Sequence, residues 1–282
     1  MPDGVPGGEG GRRPVAFLLV CLLVVLSRVV PGLPLVVAAN RDERLDRPAT
    51  AWTVLRAASP LVVGGRDEVA GGTWLAVNEH GVVAGLTNRP SPEGRDPTRR
   101  SRGELPLLAA GHPSADQGVE ALLARVTGGQ YNPAWLLVGD RRSLWYVEVD
   151  AERPPTARPL RPGVHILENA PLDDPSPKVD RVRAVLGTYG HQGSLWPAFP
   201  AVLADHLVPA PLAARSGTRR PDGPWLRPAA TYAACVHSDG YGTRSAAVVR
   251  VPDDPAARPD LQVADGPPCT APFVSADGWW TS

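Results

Sequence analysis

Apolar residues fall in two short blocks early in the chain, 21–26 (CLLVVL) and 33–39 (LPLVVAA), on either side of a Val29-Val30-Pro31-Gly32 bend. Pro31 and Pro34 would break a helix through this stretch and Gly32 would weaken it, so the pattern predicts a buried β-hairpin. The second block ends abruptly in Asn40-Arg41-Asp42-Glu43. A buried strand thus delivers a carboxamide, a guanidinium and two carboxylates at its end. Cys21 stands at the start of the partner strand.

Further strands are expected over 61–64, 71–78 and 82–87, with a Glu79-His80-Gly81 turn between the last two. The third ends in Thr87-Asn88-Arg89. A polar, Pro-rich loop spans 91–102. Helices are expected over 103–110 and 114–126, the second opened by a Ser114/Gln117 capping box. Strands over 133–138 and 144–149 straddle Gly139-Asp140-Arg141-Arg142 as a second hairpin. A strand over 163–167 ends in Glu168-Asn169, and helices follow at 176–186 and 201–207. Segment 209–228 reads as a long excursion. Strands over 231–237 and 243–251 close the pattern, and the Pro-rich tail after Pro252 reads as loosely held. Many antiparallel strands with helices inserted between hairpins indicate an α+β fold.

A chain of 282 residues with 43% hydrophobic residues sustains a large core. Formal net charge is zero, so nothing suggests a general nucleic-acid or anionic-membrane binder. All 29 basic residues except Lys178 are arginine. With 33 prolines and many Ala and Gly, this reads as a GC-rich bacterial gene, so no single Arg is informative by its presence. Three cysteines, Cys21, Cys235 and Cys269, make no disulfide framework. Neither their spacing nor that of His112, His165, His191 and His206 matches a zinc pattern, so no metal or cofactor is expected. Cys235 reads as core and His237 as a strand-end residue; Trp52 and Trp74 read as core aromatics that could also line a pocket.

The N-terminal 1–11 is Gly/Pro-rich and expected to be disordered. Arg12-Arg13, the apolar run 15–26 and Val37-Ala38-Ala39 are similar to a signal peptide, but cleavage after Ala39 would delete the hairpin. The run is too short and broken to span a membrane. Val20 immediately before Cys21 offers another reading. A GTG start codon appears as Val in an over-extended gene, so translation from Val20 would leave Cys21 with a free α-amino group once the initiator is removed. On that reading 1–19 is a mis-assigned extension, 20–252 a single domain and 253–282 a tail. The cytoplasm is the default location, with export as the alternative.

Three apolar strands end in asparagine, Asn40, Asn88 and Asn169, and a fourth begins Thr243-Arg244-Ser245. Taken singly, an Asn at a strand end is most simply a turn residue. Beside a cysteine, the group supports a sharper idea. Side-chain amides can donate to the oxyanion of a tetrahedral intermediate. A thiol needs a base, and an N-terminal residue carries its own in an α-amino group of pKa about 7.7–8.0. An Arg beside the sulfur favours thiolate, and a carboxylate can orient an ammonium or a water.

Ala39-Asn40-Arg41-Asp42-Glu43 with Arg47-Pro48, Gly71-Gly72-Thr73-Trp74-Leu75, Leu86-Thr87-Asn88-Arg89 and Tyr241-Gly242-Thr243-Arg244-Ser245 resemble the NRDE family, also called the transport and Golgi organisation 2 family. Its members usually begin Met-Cys, where this chain has Val20-Cys21. More distantly, 78–88 and Leu167-Glu168-Asn169-Ala170-Pro171 are similar to N-terminal nucleophile hydrolases of the bile salt hydrolase and penicillin V acylase type. That resemblance implies a four-layered αββα sandwich. It implies catalytic roles for Cys21, Arg41, Asp42, Asn88, Asn169 and Arg244, with Asn40, Glu43, Trp74 and Thr87 as binding residues. It implies a hydrolase of carbon–nitrogen amide bonds, or an acyl transferase, acting on a small acylated substrate, with Arg244 tuning the thiol. The alternative is a non-catalytic lipid- or haem-binding or trafficking protein using the same pocket. Neither reading includes nucleic acid or stable membrane insertion, and oligomeric state is left open.

Overall fold

The hairpin forms as the pattern predicts. Strand β1 (Leu22–Val30) pairs with β2 (Leu33–Arg44), placing Leu23 opposite Ala39 and Val25 opposite Val37. Gly32 turns the chain at φ +72°, a conformation glycine adopts without steric cost. The computed structural model describes residues 21–91, 93–172, 174–190, 198–209 and 229–281. The expectations for 1–19, Val20, His191 and all but the first residue of the 209–228 excursion lie outside those residues.

The remaining elements, in order, are β3 (Ala49–Arg56), β4 (Val62–Asp67), β5 (Leu75–Asn78), β6 (Val83–Asn88), α1 (Glu104–Ala110), α2 (Ala115–Arg125), β7 (Ala134–Gly139), β8 (Leu144–Val149), β9 (Thr156–Pro159), β10 (Gly163–Leu167), α3 (Pro177–Gly190), α4 (Ala198–Ala204), β11 (His237–Ser238), β12 (Tyr241–Val251), β13 (Asp260–Ala264) and β14 (Val274–Ser275). Among the described residues they make two antiparallel sheets. The first runs β10-β1-β2-β12-β13-β14, with β11 on β12; the second runs β3-β4-β5-β6-β7-β8-β9.

Strand alternation builds the layers. Odd-numbered Leu23, Val25, Leu35, Val37 and Ala39 face the other sheet and pack with Val63, Val77, Val83 and Leu137. Even-numbered Leu22, Val24, Leu26, Val36 and Ala38 face outward onto Val179, Val182, Phe199, Val202 and Leu203 of α3 and α4. The outer face of the second sheet, with Val62, Ala76, Ala84 and Leu136, is covered by Leu105, Ala109, Val119 and Leu122 of α1 and α2. The result is a four-layered αββα sandwich. The sheets approach closely at Gly85, where an added Cβ would lie 2.8 Å from both δ carbons of Leu23.

Three expectations need correction, and two strands are additions to them. Strands β3 and β9 were not anticipated. The strand expected over 71–78 is confined to Leu75–Asn78. The strand expected over 231–237 instead begins with the end of a 3₁₀ turn (Ala229–Tyr232), continues as bends, and is extended only at His237. There Cys235 N donates to Asp205 O at 2.8 Å and Val236 N to Thr243 Oγ1 at 2.8 Å, so these donors leave the ladder. The tail is not loosely held: β13 pairs with β12, and Leu261, Val263 and Trp280 belong to the inter-sheet core. Residue 252 therefore does not end the packed unit.

Trp280 is buried and its Nε1 donates to Pro259 O at 2.7 Å. Trp280→Ala should cost about 3–5 kcal/mol in urea unfolding, whereas Leu207→Ala, at an exposed position, should stay within about 0.5 kcal/mol. Equal losses would remove the tail from the packed unit.

Candidate active site

The alternation that builds the layers also sorts the polar residues. Cys21 precedes β1 on the same parity as Leu23 and Val25, so it belongs to the inter-sheet side. On β2, Arg41 and Glu43 continue the inter-sheet face beyond Ala39, while Asn40 and Asp42 continue the helix-facing side. All four are buried, with Asn40 at 0% exposure. The sheets diverge at this end into a cleft of about 320 Å³. Its lining includes Cys21, Arg41, Asp42, Glu43, Trp74 and Asn88.

Asn169, just past β10, links the parts. Its Oδ1 accepts from the backbone nitrogen of Cys21 at 3.0 Å, and its Nδ2 donates to the carbonyl of Asn88. Residues 148 positions apart are thus joined at the nitrogen that would become the α-amine of an N-terminal Cys21. Burial pushes the Cys21 thiol up to about 12, the nearby negative charges of Asp42 and Glu43 add to this, and Arg41 works against them. Burial likewise raises the Asp42 carboxyl to about 6, although Lys178, Thr243 and Arg41 hold it down. Thr243 Oγ1 donates to Asp42 Oδ1, and Lys178 Nζ lies 3.8 Å from Asp42 Oδ2. Arg41 lies 3.5 Å from Glu43, and its Nη1 is buried with no hydrogen-bond partner among the described residues.

Three expected site residues fall elsewhere. Arg244 sits at the bulge where β12 passes Asp42 and Arg41; its guanidinium donates to Leu45 O, away from the cleft lining. The guanidinium groups that interact with Cys21 are those of Arg41 and Arg102 instead. Asn40 donates through Nδ2 to Leu203 O and Ala234 O, both at 2.8 Å, so it ties β2 to the helical layer. Thr87 is fully buried on the inter-sheet face of β6 and is absent from the lining.

Several site residues were missed. Lys178, on α3, is completely buried against Asp42; being the single lysine of an arginine-rich chain was its one signal. The expected polar loop brings Arg95, Arg100 and Arg102 to the cleft rim. Burial, with Arg95 nearby, lowers Arg102 to about 10. Together with Arg41, Arg44 and Arg47 these make six arginines in the lining against the three carboxylates of Asp42, Glu43 and Asp67. The clustering of Arg95, Arg99, Arg100 and Arg102 within eight residues was legible, but its direction was not. A separate cluster of His206, Cys235, His237 and Cys269 brings together groups that could hold a metal ion, a convergence that their spacing in the sequence does not signal.

The chain was compared with known proteins. It is 31% identical over 237 residues to the Transport and Golgi organization protein 2 homolog of Bos taurus, spanning 78% of this chain and 83% of that protein. It is 29% identical over 239 residues to the Homo sapiens homolog, with the same coverage. Among solved structures it is similar to the Caenorhabditis elegans N-acylethanolamine-hydrolyzing acid amidase ortholog, with a TM-score of 0.49 and 11% identity over 84% of this chain and 94% of that chain. A family model described as Transport and Golgi organisation 2 matches residues 20–257. That match takes in Cys21, the polar end of β2, Asn88, Asn169 and β12, and the chain belongs to the Transport and Golgi organisation 2 family.

Proposed function

We propose that the protein is a cysteine-nucleophile amide hydrolase or acyl transferase, acting on a small acylated substrate that carries an anionic group. The observation that carries this reading is Cys21 in the cleft lining with its own nitrogen held 3.0 Å from Asn169 Oδ1. Catalysis requires that nitrogen to be a free amine, through initiation at Val20 or cleavage of the Val20–Cys21 bond. The thiol, pushed up to about 12 by burial, does not ionise unaided at neutral pH. A neutral α-amine takes the Sγ proton as sulfur attacks the substrate carbonyl carbon. An ammonium beside the sulfur then stabilises the thiolate character of the transition state.

The carbonyl π electrons move to oxygen, and the Asn88 carboxamide donates to that oxyanion. Asn169 acts on the nucleophile's nitrogen, because both ends of its amide are engaged within the protein. Collapse of the intermediate breaks the carbon–nitrogen bond, the ammonium returns its proton to the leaving amine, and a thioester remains on Cys21. Water, deprotonated by the same amine, then releases the acid and restores the thiol. An acceptor amine in place of water gives transfer. The arginine excess at the rim supports an anionic substrate, since guanidinium groups bind carboxylate and phosphate bidentately.

The non-catalytic reading draws on one observation, the neutral, buried thiol. It is separated from the first by labelling. Protein whose first residue is Cys21 should react with an acylating thiol probe at that residue at neutral pH, faster as pH rises through about 7.7–8.0, and Cys21→Ala should not label there. Unreactive Cys21 with retained ligand binding would support the second reading.

Asn88→Ala should lower kcat by about 10²–10³ with little change in KM. An equal loss confined to KM would reassign Asn88 to ground-state binding. Adding one residue before Cys21 should abolish turnover while leaving the unfolding midpoint unchanged; undiminished turnover would remove the amine from the mechanism.

A further inference from the structure

On the far side of β2 from the cleft, three segments distant in sequence converge. His206 lies two residues past α4, Cys235 and His237 flank the entry to β11, and Cys269 sits in the turn after β13, where Thr270 N donates to Pro267 O at 3.0 Å. The ligand atoms of all four lie within 4.8 Å of one another. Cys235 Sγ is 3.7 Å from Cys269 Sγ, and His237 Nε2 is 3.4 Å from Cys235 Sγ and 3.2 Å from Cys269 Sγ. The His206 and His237 rings are 5.8 Å apart between centroids and 69° from coplanar.

We propose that His206, Cys235, His237 and Cys269 form a structural zinc site. Tetrahedral zinc has bonds of about 2.3 Å to sulfur and about 2.0–2.1 Å to nitrogen. The corresponding edges are about 3.8 Å between two sulfurs and about 3.6 Å between sulfur and nitrogen. The observed sulfur pair matches the first, and the two sulfur–nitrogen separations fall within about 0.4 Å of the second. A disulfide needs about 2.05 Å between sulfurs, whereas both cysteines here are free. Two thiolates and two neutral imidazoles make a donor set that suits zinc in structural sites. On binding, Cys235 and Cys269 give up one proton each to solvent, so the two thiolates neutralise the ion's charge.

The site's location gives it a function distinct from the cleft. Cys235 N is anchored to Asp205 O, and the next residue, Val236, donates to Thr243 Oγ1, which in turn donates to Asp42. Ala234 O and Leu203 O receive the Asn40 amide. Zinc would therefore staple the end of α4, the β11–β12 hairpin and the β13 turn behind the polar end of β2. No protein atom reaching the cleft is a ligand, so the ion braces the fold without entering the chemistry.

The test is metal analysis of the full chain, expressed with zinc and purified under reducing conditions without chelator. One zinc per chain is expected by mass spectrometry of elements, unchanged in Cys21→Ala. Content should fall at least tenfold in Cys235→Ala/Cys269→Ala. Because that variant removes a buried residue, cobalt titration of metal-stripped intact chain provides a second readout: a tetrahedral visible spectrum with thiolate charge-transfer bands, saturating at one equivalent and absent in the exposed-site variant His206→Ala/His237→Ala. Chelator should lower the unfolding midpoint of the intact chain. A metal-free protein whose cobalt spectrum shows no thiolate bands, zinc retained in the double-cysteine variant, or a Cys235–Cys269 disulfide under those conditions would overturn the site. None of these results bears on Cys21.

Discussion

Strand β2 must keep its backbone ladders while its side chains change from apolar to charged. It is the one strand flanked by both β1 and β12, so its carbonyl and amide groups are committed along its length. Its side chains alternate between the two sheets' shared core and the helical layer. When the apolar run ends at Ala39, the alternation continues, and four polar residues are buried with their directions already assigned. Arg41 and Glu43 inherit the inter-sheet side, where the sheets part into a cleft. Asn40 and Asp42 inherit the helix side, where each must find partners.

Those partners explain much of the surrounding architecture. A charge withdrawn from water is costly unless paired and hydrogen-bonded. Asp42 is met by Thr243 from the adjacent strand and by Lys178 from α3, both fully or almost fully buried. Losing one member of such a pair typically costs about 3–5 kcal/mol, so the sole lysine of the chain is tied to one carboxylate. Asn40 spends its amide protons on two carbonyls, one ending α4 and the other beside Cys235. Asn40 thus ties the strand to the helical layer, whereas Asp42 is held by these partners and also borders the cleft beside Cys21. Asn40 Oδ1, Arg41 Nη1 and Asp42 Oδ2 are each buried without a hydrogen-bond partner among the described residues.

The same division separates the two clusters of reactive side chains. Cys21 is held by Asn169, just past the neighbouring strand of the same sheet, and its environment favours the neutral thiol. Cys235 and Cys269 lie on the opposite side of the sheet with two imidazoles. One sheet therefore presents the Cys21 thiol at the cleft and a set of metal-ligating groups behind it, with Asp42 and Thr243 between them. The cleft and the cluster behind it are linked through the backbone of β2 and the hydrogen bonds of Thr243, without any shared residue.

Composition and pattern alone determined the hairpin, the α+β class and the polar ends of the strands. Short Val- and Leu-rich blocks, broken by Pro and Gly and ended by polar residues, leave the chain few alternatives. Cys21, Arg41, Asp42, Glu43, Asn88 and Trp74 were legible because each lies at or beside a local signal. Tertiary structure alone decided which way Arg244 turns, because a bulge shifts the register of β12 by one residue at that point. It also decided the partnership of Lys178 with Asp42, the return of the arginine loop to the cleft rim, and the meeting of His206, Cys235, His237 and Cys269. The physical reason is common to all of these: such contacts join residues tens to more than a hundred positions apart, and no periodicity or spacing within one segment encodes which distant segment will pack against it.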